Sequence, residues 1–214
     1  MQLISPSLPI GAFTYSQGLE WAVESGAVKQ ADDVDNWLSG LIEDNLAYLD
    51  LPVFKRLYPA IEQQDQTVLE EWSAYLLACR ETRELRQEEM NRARALMALL
   101  IDLQVADADR YADSLKMTPL AGFALAAVVW QIPMRQAALG HAWSFLENQI
   151  AAAIKLVPLG QTAGQKLLLA LSARLPEAVE IGLGIEDHQI GASAPALAIA
   201  SSLHETQYTR LFRS

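Results

Sequence analysis

Three histidines and one cysteine are the side chains of this 214-residue sequence best suited to metal binding or nucleophilic chemistry. The run that begins His204-Glu205 starts like the H-E-x-x-H zinc helix, but Tyr208 stands at the position of the second histidine. A helix face needs two histidines one turn apart to hold zinc. We therefore expect a polar segment used for contacts, and no metal site.

The other three of these side chains also lack catalytic partners. His188 follows two acidic residues and could bring a cation to its loop, although a solvated acidic loop is the more common arrangement. His141 lies in a predicted helix, where a packing role is expected. Cys79 has no histidine at helical spacing to activate it and is expected to be a core thiol. The sequence predicts a protein that is not an enzyme.

Phosphate-binding loops are missing from the sequence. Neither G-x-x-x-x-G-K-[ST] nor G-x-G-x-x-G occurs, and the nearest fragment, Gly182-Leu183-Gly184, follows a predicted helix rather than a strand. A nucleotide cofactor is therefore not expected, and the segment from 182 to 195 is predicted to be a loop.

Residues 80–92 carry many charges of both signs within three to four helical turns. Arg80 with Glu84, and Glu88 with Arg92, have the four-residue spacing at which ion pairs support a helix by roughly 0.2–0.5 kcal/mol each. On composition alone this is a solvated helix face. The functional alternative is a charged docking surface.

Apolar residues recur at three- and four-residue steps along most of the chain, which predicts helices and leaves little material for strands. Predicted helices begin near Asp32, Pro52, Pro119, Met134, Gln161 and Pro195, with a long helical region over 65–102 and ends near Leu156, Leu175 and Ser202. Residues 120–130 are apolar almost all round and should lie at the bundle centre or in a dimer interface. The prediction is a single all-α domain over 1–214, a bundle of roughly eight to ten helices.

The composition narrows the functional class. A formal net charge of −10 argues against a nucleic-acid-binding role, which needs a basic face to displace counterions. The most apolar stretch is about half of the roughly 20 residues that a membrane-spanning helix needs. A single cysteine and an N-terminal segment without the features of a secretory signal lead us to expect a soluble cytoplasmic protein.

Four segments resemble one known family. They are residues 8–20 (LPIGAFTYSQGLE), 79–86 (CRETRELR), 155–161 (KLVPLGQ) and 204–214 (HETQYTRLFRS). Together they are similar to the urease accessory protein F family, UreF, and they extend over nearly the whole chain. The one departure is a short N-terminus before the segment that matches Leu3.

The resemblance implies an all-helical homodimer without enzymatic activity. Members of this family join a second accessory protein, UreD (also called UreH), and the nickel-carrying GTPase UreG on apo-urease. The complex delivers nickel to the urease active site, with GTP hydrolysis by the partner driving or gating delivery. The missing phosphate loop fits this division of labour, because the nucleotide chemistry would belong to the partner.

Residue roles follow from the matching motifs. Gln17, Glu20, Lys155 and Arg210 are expected to form the surface that faces the GTPase. His204, Glu205, Gln207, Tyr208, Leu211 and Phe212 are expected to face UreD/UreH. The tail over about 203–214 is predicted to be flexible alone and to become ordered on UreD/UreH.

Three mechanisms stay open at this point: a passive scaffold, a checkpoint on the GTPase, and a nickel conduit. A checkpoint needs a charged group that reaches the partner, for which Lys155 and Arg210 are candidates; a conduit needs a polar passage. The alternative from another class is a small helical enzyme or ligand-binding bundle unrelated to urease, built on the His188 loop or on the pair His204 and Glu205.

Overall fold

The computed structural model describes residues 2–191 and 194–214, and within these ranges it contains helices and no strand. The prediction of a single all-α bundle is confirmed. Met1, and the Ala192 and Ser193 part of the predicted loop, lie outside the described residues. The chain opens with two short 3-10 turns, Gln2–Ile4 and Ala12–Thr14, and a short helix, α1 (Leu19–Glu24).

Residues 31–62 form one unbroken helical rod. It consists of α2 (Ala31–Gly40), a π-helical segment (Leu41–Asp50) and α3 (Leu51–Glu62). The prediction that a separate helix starts at Pro52 is wrong. Proline lacks a backbone N–H, so it is tolerated where the hydrogen-bonding pattern changes from π to α. Asn45 and Asp50 of the π-helical segment are buried.

The long helical region predicted over 65–102 is divided in two. Helix α4 (Gln66–Ala78) begins at Asp65, whose carboxylate accepts a hydrogen bond from the backbone N–H of Val68 at 3.1 Å. Helix α5 (Arg83–Asp102) begins at Thr82, whose hydroxyl accepts from the N–H of Leu85 at 3.1 Å. Thr82 therefore acts as an N-cap that starts a new helix inside the charged stretch.

The apolar segment lies at the centre of the bundle. After the single turn α6 (Ala112–Leu115), helix α7 (Pro119–Val129) begins at the N-cap Thr118 and is buried from residue 119 to 127. It packs between α3 and α5, and Gly122 allows close approach, because a Cβ there would lie 3.0 Å from Leu96. One chain thus covers this segment by itself, and the segment gives no argument for a dimer.

The second half of the chain is also helical. Helix α8 (Met134–Leu156) follows the prediction, α9 (Gln161–Ser172) ends three residues before the predicted Leu175, and α11 (Pro195–His204) extends slightly beyond its predicted end. Residues 182–184 are not loop as predicted, because a further helix, α10 (Leu175–Gly184), carries Pro176 in its first turn. Proline ends one helix but also suits the start of the next.

The tail beyond α11 has no regular secondary structure. Its backbone returns to the first motif of the chain and lies over α1 and α5. Its flexibility in the isolated protein stays a prediction. In the described part of the chain, no helix combines the length and apolarity needed to cross a bilayer.

Candidate docking site around the C-terminal tail

The first sequence motif and the end of the tail are joined by backbone hydrogen bonds. The N–H and the hydroxyl of Ser16 both donate to the main-chain oxygen of Ser214, at 2.8 and 2.6 Å. The N–H of Arg213 donates to the carbonyl oxygen of Thr14 at 2.9 Å. Ser16 and Ser214 are both fully buried, so this contact is part of the folded body.

Glu20 anchors the backbone of the tail. Its carboxylate accepts hydrogen bonds from the backbone N–H groups of Leu211 and Phe212, at 2.5 and 2.8 Å. Bonds to an ionised acceptor are about twice as strong as neutral ones. Glu20 lies in the first turn of α1, which starts at Gly18 with a φ of +77°. A side chain at Gly18 would be strained and would meet Ala200 at 3.0 Å, so this approach of α1 to α11 requires glycine.

His204 lies between two carboxylates. Its Nε2 is 3.1 Å from Glu20 Oε2, its Nδ1 is 2.6 Å from Glu84 Oε2, and the side chain has no solvent exposure. The other oxygen of Glu84 accepts a hydrogen bond from Arg210 at 2.6 Å. The three elements α1, α5 and α11 therefore meet the tail in one charged cluster, which we call the tail cluster: Glu20, Glu84, His204 and Arg210.

Glu88, one turn further along α5, organises a second group of polar side chains. It accepts hydrogen bonds from Gln17 at 2.9 Å, Arg92 at 2.8 Å and the hydroxyl of Ser214 at 2.8 Å. Gln149 of α8 donates to Gln17 at 3.3 Å. Gln17 has a φ of +51°, a left-handed conformation that costs a non-glycine residue free energy. These hydrogen bonds hold it there.

A buried ion-pair group lies deeper in the same region. Arg80 contacts Asp50 at 2.8 Å and Glu89 at 2.9 Å, and Thr118 donates to Glu89 at 2.5 Å. Burial raises the pKa of Asp50, against the opposing effect of Arg80. For Glu89, burial also acts to raise the pKa, but the combined effects of Arg80, Thr118 and Arg92 prevail and lower it. This arrangement fixes the start of α5 against the π-helical segment.

The predicted ion pairs within residues 80–92 are thus only half right. Glu88 and Arg92 form the expected pair. Arg80 does not pair with Glu84, because it precedes the helix and turns inward to Asp50 and Glu89. Several charges of this stretch are buried, so its description as a solvated face is wrong for them.

The four residues predicted for the GTPase side lie around the tail. Lys155 and Arg210 are exposed, whereas Glu20 is buried and Gln17 is half-buried. The ammonium group of Lys155 lies 5.9 Å from the ring centre of Phe13 and 5.6 Å from that of Phe212, at cation–π distance. Glu20 and Gln17 therefore position the tail from inside, and Lys155 and Arg210 face solvent.

The residues predicted for the UreD/UreH side divide in the same way. His204 and Phe212 are buried, while Tyr208 and Leu211 are 102% and 66% exposed. Glu205 accepts a hydrogen bond from the N–H of Glu84 at 3.2 Å. Gln207 donates to the carbonyl oxygen of Thr209 at 2.9 Å. The structure brings members of both predicted sets into contact around the tail.

A polar groove runs between the tail and α5. Its cavity volume is about 510 Å³. It is lined by Tyr15, Arg83, Glu84, Gln87, Glu88, Asn91, Arg210, Phe212 and Arg213. Within residues 2–191 and 194–214, no group of three or more His, Cys, Asp or Glu side chains is placed to hold a metal ion.

Sequence reasoning missed the acidic residues of α5 that anchor the tail and the core. One signal could have found Glu89. Leu85, Glu89, Ala93, Leu96 and Leu100 recur at four- and three-residue steps, which puts this acid on the buried stripe of the helix. The other two histidines, His188 and His141, and Cys79 belong neither to the tail cluster nor to the lining of the groove. His188 is exposed, and His141 packs edge-on against Phe123 at 5.5 Å; Cys79 is half-buried, and burial raises its pKa.

Comparison with known proteins identifies the family of this chain. The UreF family model matches residues 28–172. Urease accessory protein UreF of Alcanivorax borkumensis is 52% identical over 219 residues, covering 100% of this chain and 96% of the relative. The proteins of the same name from Alkalilimnicola ehrlichii and Pseudomonas putida F1 are 50% and 52% identical, with 100% of this chain covered and 93% and 96% of theirs. This chain belongs to the UreF family of urease accessory proteins.

Proposed function

We propose that this protein bridges UreD/UreH and the GTPase UreG on apo-urease and gates GTP-dependent nickel delivery to the urease metallocentre. The observation that carries the proposal is the convergence of both predicted partner-facing sets on the docked tail. A single surface that contacts both partners can couple the binding of one to the binding of the other. The family supports the general role in urease maturation, and the partner contacts are our proposal.

The proposed UreD/UreH surface is apolar. Tyr208 and Leu211 of the tail are exposed, and Ile199 and Leu203, one turn apart on α11, are 56% and 42% exposed. Exposed apolar side chains that lie close together indicate a protein-binding surface, and aromatic anchors commonly contribute most of the binding energy. We propose that the tail leaves the body in part, becomes ordered on UreD/UreH, and presents these side chains.

The proposed GTPase surface is cationic. Lys155 and Arg210 are exposed charges; Lys155 lies over the ring of Phe212, and Arg210 is half of an ion pair with Glu84. A planar guanidinium group can hold a partner carboxylate with two hydrogen bonds. Exposed cations favour a checkpoint on the GTPase over a passive scaffold. We propose further that the protein works in the cytoplasm as a homodimer.

Point substitutions test the apolar surface better than deletion of residues 203–214, since deletion also removes the buried Phe212 and Ser214. Tyr208→Ala combined with Leu211→Ala should weaken capture of UreD/UreH at least tenfold and leave the melting temperature unchanged. Leu169→Ala is a matched control, because Leu169 is 75% exposed on α9. Unchanged capture by the double variant would contradict the proposal.

A separate measurement tests the cationic surface. Lys155→Ala should weaken binding of UreG in the presence of UreD/UreH, whereas Lys166→Ala, an exposed lysine on α9, should not. Equal binding by the two variants would remove Lys155 from the GTPase contact. Size-exclusion chromatography with light scattering tests the dimer, and a monomeric mass at micromolar concentration would contradict it.

A further inference from the structure

His204 has two hydrogen-bond acceptors and no access to water. A neutral imidazole carries a hydrogen on one nitrogen only, and its other nitrogen is an acceptor. Both ring nitrogens of His204 face carboxylate oxygens, at 3.1 Å on Glu20 and 2.6 Å on Glu84. When Glu20 and Glu84 are both ionised, both contacts are hydrogen bonds only if both nitrogens carry hydrogen, that is, if the ring is an imidazolium ion.

With both glutamates ionised, the charges that surround His204 balance only when the ring is an imidazolium ion. Glu20 faces it from α1 and Glu84 from α5, and Arg210 contacts the second oxygen of Glu84. Glu205, the neighbouring residue, points instead to the N–H of Glu84 and to Arg83. Two carboxylates, one guanidinium and one imidazolium make a neutral tail cluster. A neutral ring would leave a net negative charge in a buried place, which is costly.

The same carboxylate that contacts His204 also fastens the tail. Glu20 accepts hydrogen bonds from the N–H groups of Leu211 and Phe212. Loss of the second ring proton would break one ring–carboxylate hydrogen bond and set a nitrogen lone pair against an anion. The rearrangement of Glu20 or Glu84 that relieves this repulsion acts directly on the tail.

We propose that His204 is a proton-operated latch, whose doubly protonated ring holds the tail closed and whose deprotonation loosens the tail at Leu211 and Phe212. The latch is stable at lower pH and opens as the pH rises, because the closed state binds one more proton than the open one. This inference concerns the fold of the tail and does not depend on which partner the tail meets.

The test is a pH series on the full-length chain between pH 5.5 and 9.0. Nitrogen-15 resonances of the ring report its protonation, and hydrogen exchange reports the protection factors of the Leu211 and Phe212 amides. Protection should fall tenfold or more at the pH where His204 loses its second proton. Amides in the middle of α7 should keep their protection.

Two variants separate His204 from other groups. His204→Gln should have low tail protection without this pH dependence, and His188→Gln, which changes an exposed loop histidine, should behave like the wild type. The wild-type series does not depend on the folding of either variant. A ring with a single proton at pH 5.5, tail protection that does not change when the ring deprotonates, or a transition lost in His188→Gln would each overturn the proposal.

Discussion

Glu20 Oε2 and His204 Nε2 lie 3.1 Å apart, although the two residues are 184 positions apart in the chain. This contact joins the first turn of α1 to the last residue of α11. It joins the first and the last motif of the sequence, residues 8–20 and 204–214, in one structure. A substitution in either motif should therefore alter the packing of the other.

Replacement of Glu20 tests this link. Glu20→Gln removes a charged acceptor that serves two backbone N–H groups and His204, and hydrogen bonds to charged groups contribute about 1.5–3 kcal/mol each. We expect the protection of the Leu211 and Phe212 amides to fall at least tenfold at pH 6.5, as measured by hydrogen exchange. Glu24→Gln, on the exposed side of α1, is the control. Equal protection in the two variants would show that Glu20 does not hold the tail.

Arg80 should be essential for stability. Arg80→Met leaves Asp50 and Glu89 buried without their shared cation, and breaking a buried pair in this way costs about 3–5 kcal/mol. Urea unfolding at pH 7 measures the loss. Arg94→Met, an exposed change on the same helix, should cost little. A loss below about 1 kcal/mol for Arg80→Met would contradict the proposed role.

The Arg80→Met variant should also have its own pH dependence. Without the guanidinium, burial raises the pKa of both carboxyl groups in the folded state above their unfolded values. Groups of this kind favour the folded state at low pH and disfavour it as pH rises. The stability deficit relative to the wild type should therefore shrink between pH 7 and pH 5. A deficit that stays constant or grows toward pH 5 would show that the carboxyl groups do not cause it.

His141 should destabilise the protein in mild acid. Burial, followed by the charge of Arg92, lowers its pKa to about 4. Below the ordinary value of about 6.5, the unfolded chain takes up a proton that the folded chain does not, which costs about 2 kcal/mol by pH 5. Urea unfolding at pH 7 and pH 5 should show a smaller loss in His141→Gln than in the wild type. Equal losses would mean that His141 titrates normally.

Two glycines on helices should respond in opposite directions. A Cβ at Gly182 would lie 2.5 Å from Leu51 Cβ and 3.1 Å from the carbonyl oxygen of Ala47, so Gly182→Ala should destabilise by about 1–3 kcal/mol. A Cβ at Gly40 meets no atom within 4 Å, and Gly40→Ala should stabilise by about 0.5–1 kcal/mol. Thermal or urea unfolding compares the two. Equal effects would contradict the tight packing of α10 on the junction between the π-helical segment and α3.

Local periodicity was enough to predict most of the helices. The steps of three and four residues, and prolines at positions such as 119 and 195, are properties of neighbouring residues, and the starts of α7 and α11 follow from them. A place at the bundle centre was one of the two outcomes predicted for residues 120–130, and the structure confirms it for the buried part of α7, residues 119–127. The π winding after Gly40 was not predictable, because the residues of a π segment carry the same apolar pattern as an α-helix.

The sequence by itself determined the all-α class, the helix-forming segments and the motifs that mark the family. Only the tertiary structure decided which charges are buried and which side chains of the tail face solvent. Ser16 and Ser214, 198 positions apart, share a buried hydrogen bond, and Arg80 pairs with Asp50 rather than with the nearby Glu84. The physical reason is that helix periodicity is set by neighbours along the chain, whereas a buried charge takes the partner that folding brings within reach.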